Sequence, residues 1–350
     1  MTAVPLTLYV DAAAWHNSLR ALINDEPSLV PVIKGNGYGF TVPVLARTAA
    51  ALGVERIAVG TAEDAAAVLG DFPGEVFVLE GPPRMGATAT AADPGRVVYT
   101  AASVPDAAAL AESGLRFVVD CRSTLQRQGV AVHELDGLRQ AVAGGTVEGY
   151  SLHLPIDRPP GADPVVETAR WVDTLRRAGL DVPVMYVSHL SGSETAGLAR
   201  AYPDTAFRVR AGTRLWLGHP CATSAAATVT QAVQVRHGER VGYRQLRAAH
   251  DAWLVVVNGG TAHGVGLEAP KALRGLAARA RALARSGLAA ANLVRSPFSW
   301  QNRKLWFAEP PHMLVSMLFL RGDVEPPWPG AELPAELRLT ATTFDRVVAY

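Results

Sequence analysis

Short apolar runs recur along the first two thirds of the chain, separated by segments with apolar residues at helical spacing. Such runs are typical of strands buried on both faces, and their alternation with amphipathic helices predicts parallel βα units. Eight units favour a closed (β/α)8 barrel over an open, doubly wound sheet. The predicted strands are 29–34, 56–60, 76–80, 96–100, 115–120, 149–154, 183–190 and 206–210. The predicted helices are 45–52, 64–69, 106–113, 167–179 and 194–202.

The pattern changes after about residue 225, where strand-like segments such as TVTQAVQVR and AWLVVVNG are joined by turns. These segments predict a second, antiparallel β domain, which a helical insertion at 268–291 interrupts. Residues 4–10 predict a strand that precedes the barrel and pairs with this domain, and the proline-rich residues 323–337 predict a loop. The expected domains are a barrel of residues 11–225 and a β domain of residues 1–10 and 226–350.

Composition narrows the class of protein. The chain has 350 residues, 49% of them hydrophobic and 19% charged, as is typical of a globular protein. A net charge of +1 gives no electrostatic reason to expect nucleic acid or an anionic membrane as a partner. The N-terminal residues lack the pattern of a secretory signal, and Cys121 and Cys221 are too few for a disulfide framework. We therefore expect a cytoplasmic protein.

The stretch PVIKGNGYGF, residues 31–40, places Lys34 where an apolar run meets a glycine-rich loop. Only three of the 33 basic residues are lysines, and this position is expected to be partly buried. An apolar barrel mouth lowers the pKa of a lysine by desolvation, and a Schiff base to a carbonyl requires a neutral amine. The G-x-G-x-x-G order of a nucleotide loop is absent from this stretch.

Other polar residues lie at the ends of the predicted strands or just after them, at the end of a barrel where catalytic groups collect. Serine hydroxyls and glycine amides at the start of a helix form an anion site, so residues 191–193 and 212–213 predict a phosphate site. A reactive lysine combined with a phosphate site indicates pyridoxal phosphate. The residues concerned are Asp120, Arg127, His153, His189, Ser191, Ser193, Arg210 and Gly212.

PVIKGNGYGF resembles the cofactor-lysine motif of the alanine racemase family, the fold-type III enzymes that depend on pyridoxal phosphate. The resemblance covers most of the chain, and its motifs follow the family order. The further motifs are YVDAAAWHNSLRAL (9–22), VEGYSLH (147–153), SHLSGS (188–193), RVRAGTRLWLG (208–218) and GERVGYR (238–244).

The resemblance implies an amino-acid racemase that acts as a homodimer with shared active sites. Lys34 would hold the cofactor covalently and act as the base on one face of the substrate α-carbon, while Tyr243 of the partner subunit would act on the opposite face. Two bases make physical sense, because a planar carbon must be reprotonated from the other side. Arg210 would face the pyridine nitrogen, and His153 and His189 would support Tyr243 and Arg210 by hydrogen bonds.

The resemblance also implies the remaining contacts to the cofactor. Arg127 would touch the cofactor hydroxyl and the substrate carboxylate. The implied phosphate-binding residues are Tyr38, Ser193, Gly212, Thr213 and Tyr350.

Several positions depart from the family pattern. DCRSTLQRQG (120–129) is two residues longer than the usual Asp-Thr-Gly-Met-x-Arg-x-Gly, and Val118 replaces a usual lysine. Thr261 replaces a tyrosine, His263 an aspartate and Leu314 another aspartate. These changes are expected near the substrate entrance, whereas the cofactor motifs are kept. We interpret the chain as a pyridoxal-phosphate enzyme with a changed substrate or reaction.

Two alternatives remain open. One is a fold-type III enzyme with a different α-carbon reaction on a larger or modified amino acid, and the other is a non-catalytic cofactor-binding protein. Tyr243 discriminates between them, because a carrier needs Lys34 but no opposed base. No metal site is expected, since Leu314 stands two residues after His312 where related zinc enzymes have a cysteine. The insertion at 268–291 is either structural or a dimer contact.

Overall fold

The computed structural model describes residues 5–81, 93–267, 275–290 and 293–350. The chain divides into two compact units. The barrel unit consists of residues 16–218, and the sheet unit consists of residues 1–15 and 219–350. Strand β1 (Leu6–Val10) belongs to the sheet unit, and helix α1 (Ala12–Asp25) contains the boundary between the units.

The predicted (β/α)8 architecture is confirmed, because eight strands form a closed barrel in which all neighbours are parallel. Its strands are β2 (Leu29–Ile33), β3 (Arg56–Val59), β4 (Glu75–Val78), β5 (Val97–Ala101), β6 (Arg116–Cys121), β7 (Thr146–Leu152), β8 (Val184–Ser188) and β9 (Ala206–Ala211). Its further helices are α2 (Val42–Ala51), α3 (Ala62–Val68), α4 (Val104–Glu112), α5 (Leu135–Ala141), α6 (Pro164–Arg177), α7 (Gly192–Ala201) and α8 (Thr213–Trp216).

The continuous apolar runs correspond to strands that are covered on both faces. All five residues of β2 and all five of β5 are buried. Side chains that point inward fill the barrel and leave no central pore. This inner cluster consists of Val30, Val32, Ala58, Phe77, Val98, Val118 and Tyr186.

Local capping fixes where several helices begin. The Thr61 hydroxyl accepts the Asp64 amide while the Asp64 carboxylate accepts the Thr61 amide, so the two residues form a capping box at α3. Ser103 caps α4 with its hydroxyl, which accepts the Asp106 amide at 3.3 Å. Helix α5, which spans seven residues, was not predicted from the sequence.

The sheet unit contains an eight-stranded, mainly antiparallel sheet in the order β13-β16-β15-β14-β17-β10-β1-β18. The predicted N-terminal strand is present as β1, which pairs antiparallel with β10 and parallel with β18. The remaining elements are β10 (Thr223–Val235), β11 (Arg240–Val241), β12 (Leu246–Arg247), β13 (Ala252–Asn258), α9 (Leu276–Ala290), β14 (Arg295–Trp300), β15 (Arg303–Phe307), β16 (Val315–Arg321), β17 (Glu332–Ala335) and β18 (Arg346–Ala349).

The prediction of a loop throughout 323–337 is wrong, because β17 occupies Glu332–Ala335 and pairs with β10. Proline lacks an N–H group and argues against a central strand. Strand β17 is short and pairs with β14 only at Phe298 and Ala335, so on that side Pro334 interrupts no long hydrogen-bond ladder.

The predicted helical insertion is present as α9, whose side chains at Leu276 and Leu283 are 84% and 75% exposed. Residues 268–274 and 291 of the prediction lie outside the described residues. Among the residues that the structure does describe, no helix is both long and apolar enough to cross a membrane.

Candidate active site

Lys34 directly follows the last residue of β2, at the end of the barrel where the parallel strands finish. The apolar run stops at Ile33, and the Lys34 side chain reaches solvent at the barrel mouth. The mouth still desolvates the amine in part, and this effect, followed by the charges of Arg127 and Arg210, lowers the pKa of Lys34. Gly60, after β3, lies beside Lys34, since a Cβ built at Gly60 would be 3.4 Å from Lys34 Cβ.

The glycine-rich loop turns sharply and carries Tyr38 inward. Tyr38 is buried with a φ of 55°, in the left-handed region, and its amide donates to Asn36 Oδ1 at 3.1 Å. Its hydroxyl lies so close to Gly212 that any Cβ at Gly212 would collide with it. Burial raises the pKa of Tyr38 to about 12, so the hydroxyl keeps its proton and can donate to an anion. Tyr38, Gly212 and Thr213 are therefore close together.

Ser191 and Ser193 lie at the first turn of α7. The Ser191 hydroxyl accepts the Glu194 amide at 3.3 Å, the Glu194 carboxylate accepts the Ser191 amide at 2.8 Å, and the two serine Oγ atoms are 3.2 Å apart. The Arg158 guanidinium, followed by the Ser191 amide and hydroxyl, lowers the pKa of Glu194 to about 2. The first turn of α7 thus carries a paired carboxylate as well as two hydroxyl groups.

Glu26 connects the starts of α7 and α8. A Cβ at Gly192 would lie 3.4 Å from Glu26 Cγ, and Arg214 donates to both carboxylate oxygens of Glu26 at 2.5 and 2.6 Å. The structure therefore brings the two predicted phosphate-binding segments to neighbouring positions. Glu26 was not predicted from the sequence, because it is separated from Arg214 by 188 residues and carries no local motif.

Arg210 points into the barrel from β9, and its Nε and Nη2 atoms are buried without a hydrogen-bond partner. Burial lowers the pKa of Arg210, and the carboxylate of Asp120 opposes that shift. Burial also raises the pKa of Asp120, although Arg210 and the Ser151 hydroxyl, which donates to Asp120 Oδ1 at 2.8 Å, favour the charged carboxylate. Two unpaired donor groups inside the barrel are suited to a hydrogen-bond acceptor.

His153 follows β7 and His189 follows β8, and their ring centroids are 5.7 Å apart. Burial, then the charge of Arg210, lowers the pKa of His153 to about 4, and the same causes lower the pKa of His189. Both imidazoles are accordingly neutral at pH 7. Hydrogen bonds from the two histidines to Arg210 were predicted. The structure is only partly compatible with them, because neither Nε nor Nη2 of Arg210 donates to a histidine.

Arg127 lies in the loop after β6 and is exposed. Its charge lowers the pKa of Lys34 and of His153, and it favours the charged form of Asp120. The longer loop therefore still brings this arginine to the barrel mouth. Val118, where the family pattern has a lysine, lies in the apolar cluster inside the barrel.

Tyr243 belongs to the sheet unit and lies in the turn between β11 and β12. Its side chain is 85% exposed, and its ring stacks on His312 with centroids 4.5 Å apart. Its amide donates to Glu309 Oε1 at 3.1 Å. Glu309 was not predicted from the sequence, and His312 was weighed only as a metal ligand.

The positions that depart from the family pattern have two different environments. Thr261 donates its amide to the His312 carbonyl at 2.8 Å, and Leu314 is 61% exposed in the same region of the sheet unit. His263 is buried instead: its Nε2 is 3.2 Å from Asp345 Oδ1, and its Nδ1 accepts the Gly260 amide at 3.2 Å. His263 therefore supports the interior of the sheet unit.

The last residue, Tyr350, is 72% exposed in the sheet unit. Its backbone accepts the amide of Ala12 and donates to the carbonyl of Val10, both at 3.0 Å. Cys121 is buried in β6 and Cys221 is exposed, and both are free thiols. Within the described ranges, no group of three or more His, Cys, Asp and Glu side chains is arranged to hold a metal ion.

Comparisons with known proteins agree with this architecture. The sequence model of the alanine racemase N-terminal domain matches residues 12–220, which is more than half of the chain. A search of curated proteins found no significant match.

Solved structures share the fold at low sequence identity. Alanine racemase from Bacillus anthracis, with bound L-Ala-P, has a TM-score of 0.70 and 18% identity, covering 95% of this chain and 86% of its own. Alanine racemase from Bartonella henselae, with covalently bound pyridoxal phosphate, has a TM-score of 0.71 and 16% identity, covering 99% and 100%. Histidine racemase from Leuconostoc mesenteroides has a TM-score of 0.66 and 16% identity, covering 100% and 99%.

Proposed function

Because the chain belongs to the alanine racemase family, whose members depend on pyridoxal phosphate, we propose that it is an amino-acid racemase that uses Lys34 and Tyr243 as two opposed bases. The observation that carries this proposal is the lysine of lowered pKa at the barrel mouth, beside the buried Arg210 guanidinium with two unpaired N–H groups. A lysine that served only as a surface charge would need neither a lowered pKa nor an unpaired guanidinium beside it.

The residues of the barrel fit the cofactor. The free Nε and Nη2 donors of Arg210 suit the pyridine nitrogen, and the hydroxyl of Tyr38 and the amides after Gly212 suit the phosphate. We propose Ser193 and Thr213 as further phosphate contacts of the barrel, while the role of Tyr350, in the sheet unit, stays a prediction from the family resemblance. When bound, the cofactor supplies a carbonyl for the Lys34 amine and an electron sink for the substrate α-carbon.

The proposed proton transfers follow from the charges of the side chains. Lys34 is held toward its neutral form by desolvation and by two arginines, so it can take the α-proton from one face. Tyr243 delivers a proton to the opposite face, and the process runs in reverse for the other enantiomer. His153 and His189 stay neutral and provide hydrogen bonds, while Arg127 orients the substrate carboxylate.

We also propose that the enzyme is a homodimer in which Tyr243 serves the Lys34 of the partner subunit. A phenol that is 85% exposed, with Met313 and Leu314 at 72% and 61%, forms an apolar surface suited to a second copy of the chain. The expected location, the cytoplasm, belongs to the same proposal.

The proposed substrate is an amino acid larger than alanine. Thr261 in place of a tyrosine and Leu314 in place of an aspartate leave space and remove a charge, and specificity depends on filled contacts. This proposal can be tested by comparing the catalytic efficiency for different amino acids, both in the native enzyme and in Thr261→Tyr. Alanine as the best substrate of the native enzyme would contradict it.

The central experiment traps the cofactor. Borohydride reduction of the yellow holoprotein is expected to attach the cofactor to Lys34, and Lys34→Ala is expected to abolish the visible absorbance, while Lys304→Ala retains it. In deuterated water, the enzyme is expected to exchange the α-proton and to interconvert the enantiomers. Cofactor fixed at Lys34 without any exchange would favour the non-catalytic alternative, and exchange without inversion would favour a different α-carbon reaction.

A further inference from the structure

A buried carboxylate lies beneath the turn that carries Tyr243. The Glu309 side chain is only 2% exposed, and it accepts the amides of Tyr243 at 3.1 Å and Arg244 at 3.2 Å. Gly242 has a φ of 69°, and a Cβ at this position would collide with the Glu309 carboxylate. The turn is thus wrapped around the carboxylate, which explains why a glycine precedes Tyr243.

His312 connects this carboxylate to the phenol ring. Its Nε2 is 2.7 Å from Glu309 Oε1, and its ring stacks on Tyr243 with an interplanar angle of 30°. The backbone of His312 is held on both sides, because its carbonyl accepts the Thr261 amide at 2.8 Å and its amide donates to Val315 at 2.9 Å. The imidazole is therefore a fixed surface for an otherwise exposed phenol.

The charge of Glu309 is well compensated. Burial by itself raises the pKa of Glu309, but the hydrogen bond with His312 and those from the two amides outweigh it, so the net shift is downward. A buried carboxylate with three partners holds its geometry firmly, since loss of any one partner leaves a buried charge short of a hydrogen bond. Tyr243, Glu309 and His312 line one open cleft of about 770 Å³.

We propose that Glu309 and His312 are positioning residues for Tyr243: Glu309 fixes the turn, and His312 fixes the direction of the phenol. The inference rests on the proposed function, in which Tyr243 is one of the two bases. A catalytic base must be held close to its productive position, because small displacements cost much of the rate. An 85% exposed tyrosine without such support would sample several rotamers.

The first test observes Tyr243 without relying on activity. The holoprotein is labelled with 3-fluorotyrosine, and the fluorine resonance that disappears in Tyr243→Phe is assigned to Tyr243. His312→Ala is expected to move this resonance toward the shift of free fluorotyrosine and to narrow it, and Glu309→Gln to change it in the same direction. His312→Phe restores an aromatic ring and is expected to recover part of the shift. His250→Ala, at an exposed histidine of the same unit, serves as the control.

The second test separates positioning from general damage. In deuterated water, His312→Ala is expected to slow inversion about 10- to 100-fold, whereas α-proton exchange of the enantiomer that Lys34 deprotonates stays near the native rate. Borohydride trapping at Lys34 is expected to be unchanged. An unshifted Tyr243 resonance in His312→Ala, or equal losses of exchange and inversion, would overturn the inference. A native protein that inverts no amino acid would instead contradict the proposed function, and the fluorine shift would still decide the role of His312.

Discussion

The charge of Arg127 acts on the Lys34 amine in the barrel mouth. Arg127 lowers the pKa of Lys34, so Arg127→Gln is expected to raise it and to leave less neutral amine near pH 7. The rate at which added pyridoxal phosphate attaches to the apoprotein can be followed by absorbance as a function of pH. The midpoint of this pH profile should lie at a higher pH in Arg127→Gln than in the native protein. Arg122→Gln is the control, because Arg122 lies in the same loop but forms an ion pair with Glu134 at 3.6 Å. This variant should leave the midpoint unchanged.

His153 makes stability depend on pH. Its pKa falls from 6.5 to about 4 on folding, so between these values the unfolded chain binds a proton that the folded protein does not. The contribution of His153 is therefore complete above pH 6.5 and is lost as the pH falls toward 4. Urea unfolding should show that the free energy of unfolding falls between pH 7 and pH 4.5, and that this fall is smaller in His153→Gln than in the native apoprotein. His133→Gln, at an exposed position, should behave as the native protein does.

At the scale of elements, the proposed phosphate site can be tested through the contact between the glycine-rich loop after β2 and the start of α8. Gly212→Ala places a methyl group against the Tyr38 hydroxyl, so we expect it to lower the free energy of unfolding by about 1–3 kcal/mol and to weaken cofactor binding. Gly70→Ala, where a Cβ meets nothing within 4 Å, is the matched control. Adding Tyr38→Phe to Gly212→Ala should recover part of the stability, and the absence of any recovery would contradict the described contact.

Elements with a strong local signal were predictable from the sequence. The eight barrel strands could be predicted because strands covered on both faces are continuous apolar runs, and the lysine and the histidines were found because they directly follow such runs. Strand β17 was missed because Pro334 argues against a strand. Glu309 could not be predicted, since its role depends on a turn 66 residues away in the chain.

At the scale of the whole molecule, the shared active site can be tested by mixing inactive subunits. Lys34→Ala and Tyr243→Phe proteins, unfolded together and refolded at equal amounts, should recover about a quarter of native activity. Half of the random dimers are mixed, and each mixed dimer contains one intact site of two. Each variant refolded alone is the control. A fully active monomer at assay concentration would contradict the dimer, and no recovery on mixing would place both bases in one subunit.

The position of β1 has a consequence for the order in which the chain folds during synthesis. Strand β1 lies between β10 and β18, and Thr7 pairs with Arg346. All eight barrel strands are synthesised before β10 and leave the ribosome ahead of it, so the barrel unit can begin to fold while β1 still has both edges unpaired. Strand β1 is thus made early but finds its neighbours late, and until then its open edges are prone to wrong pairing.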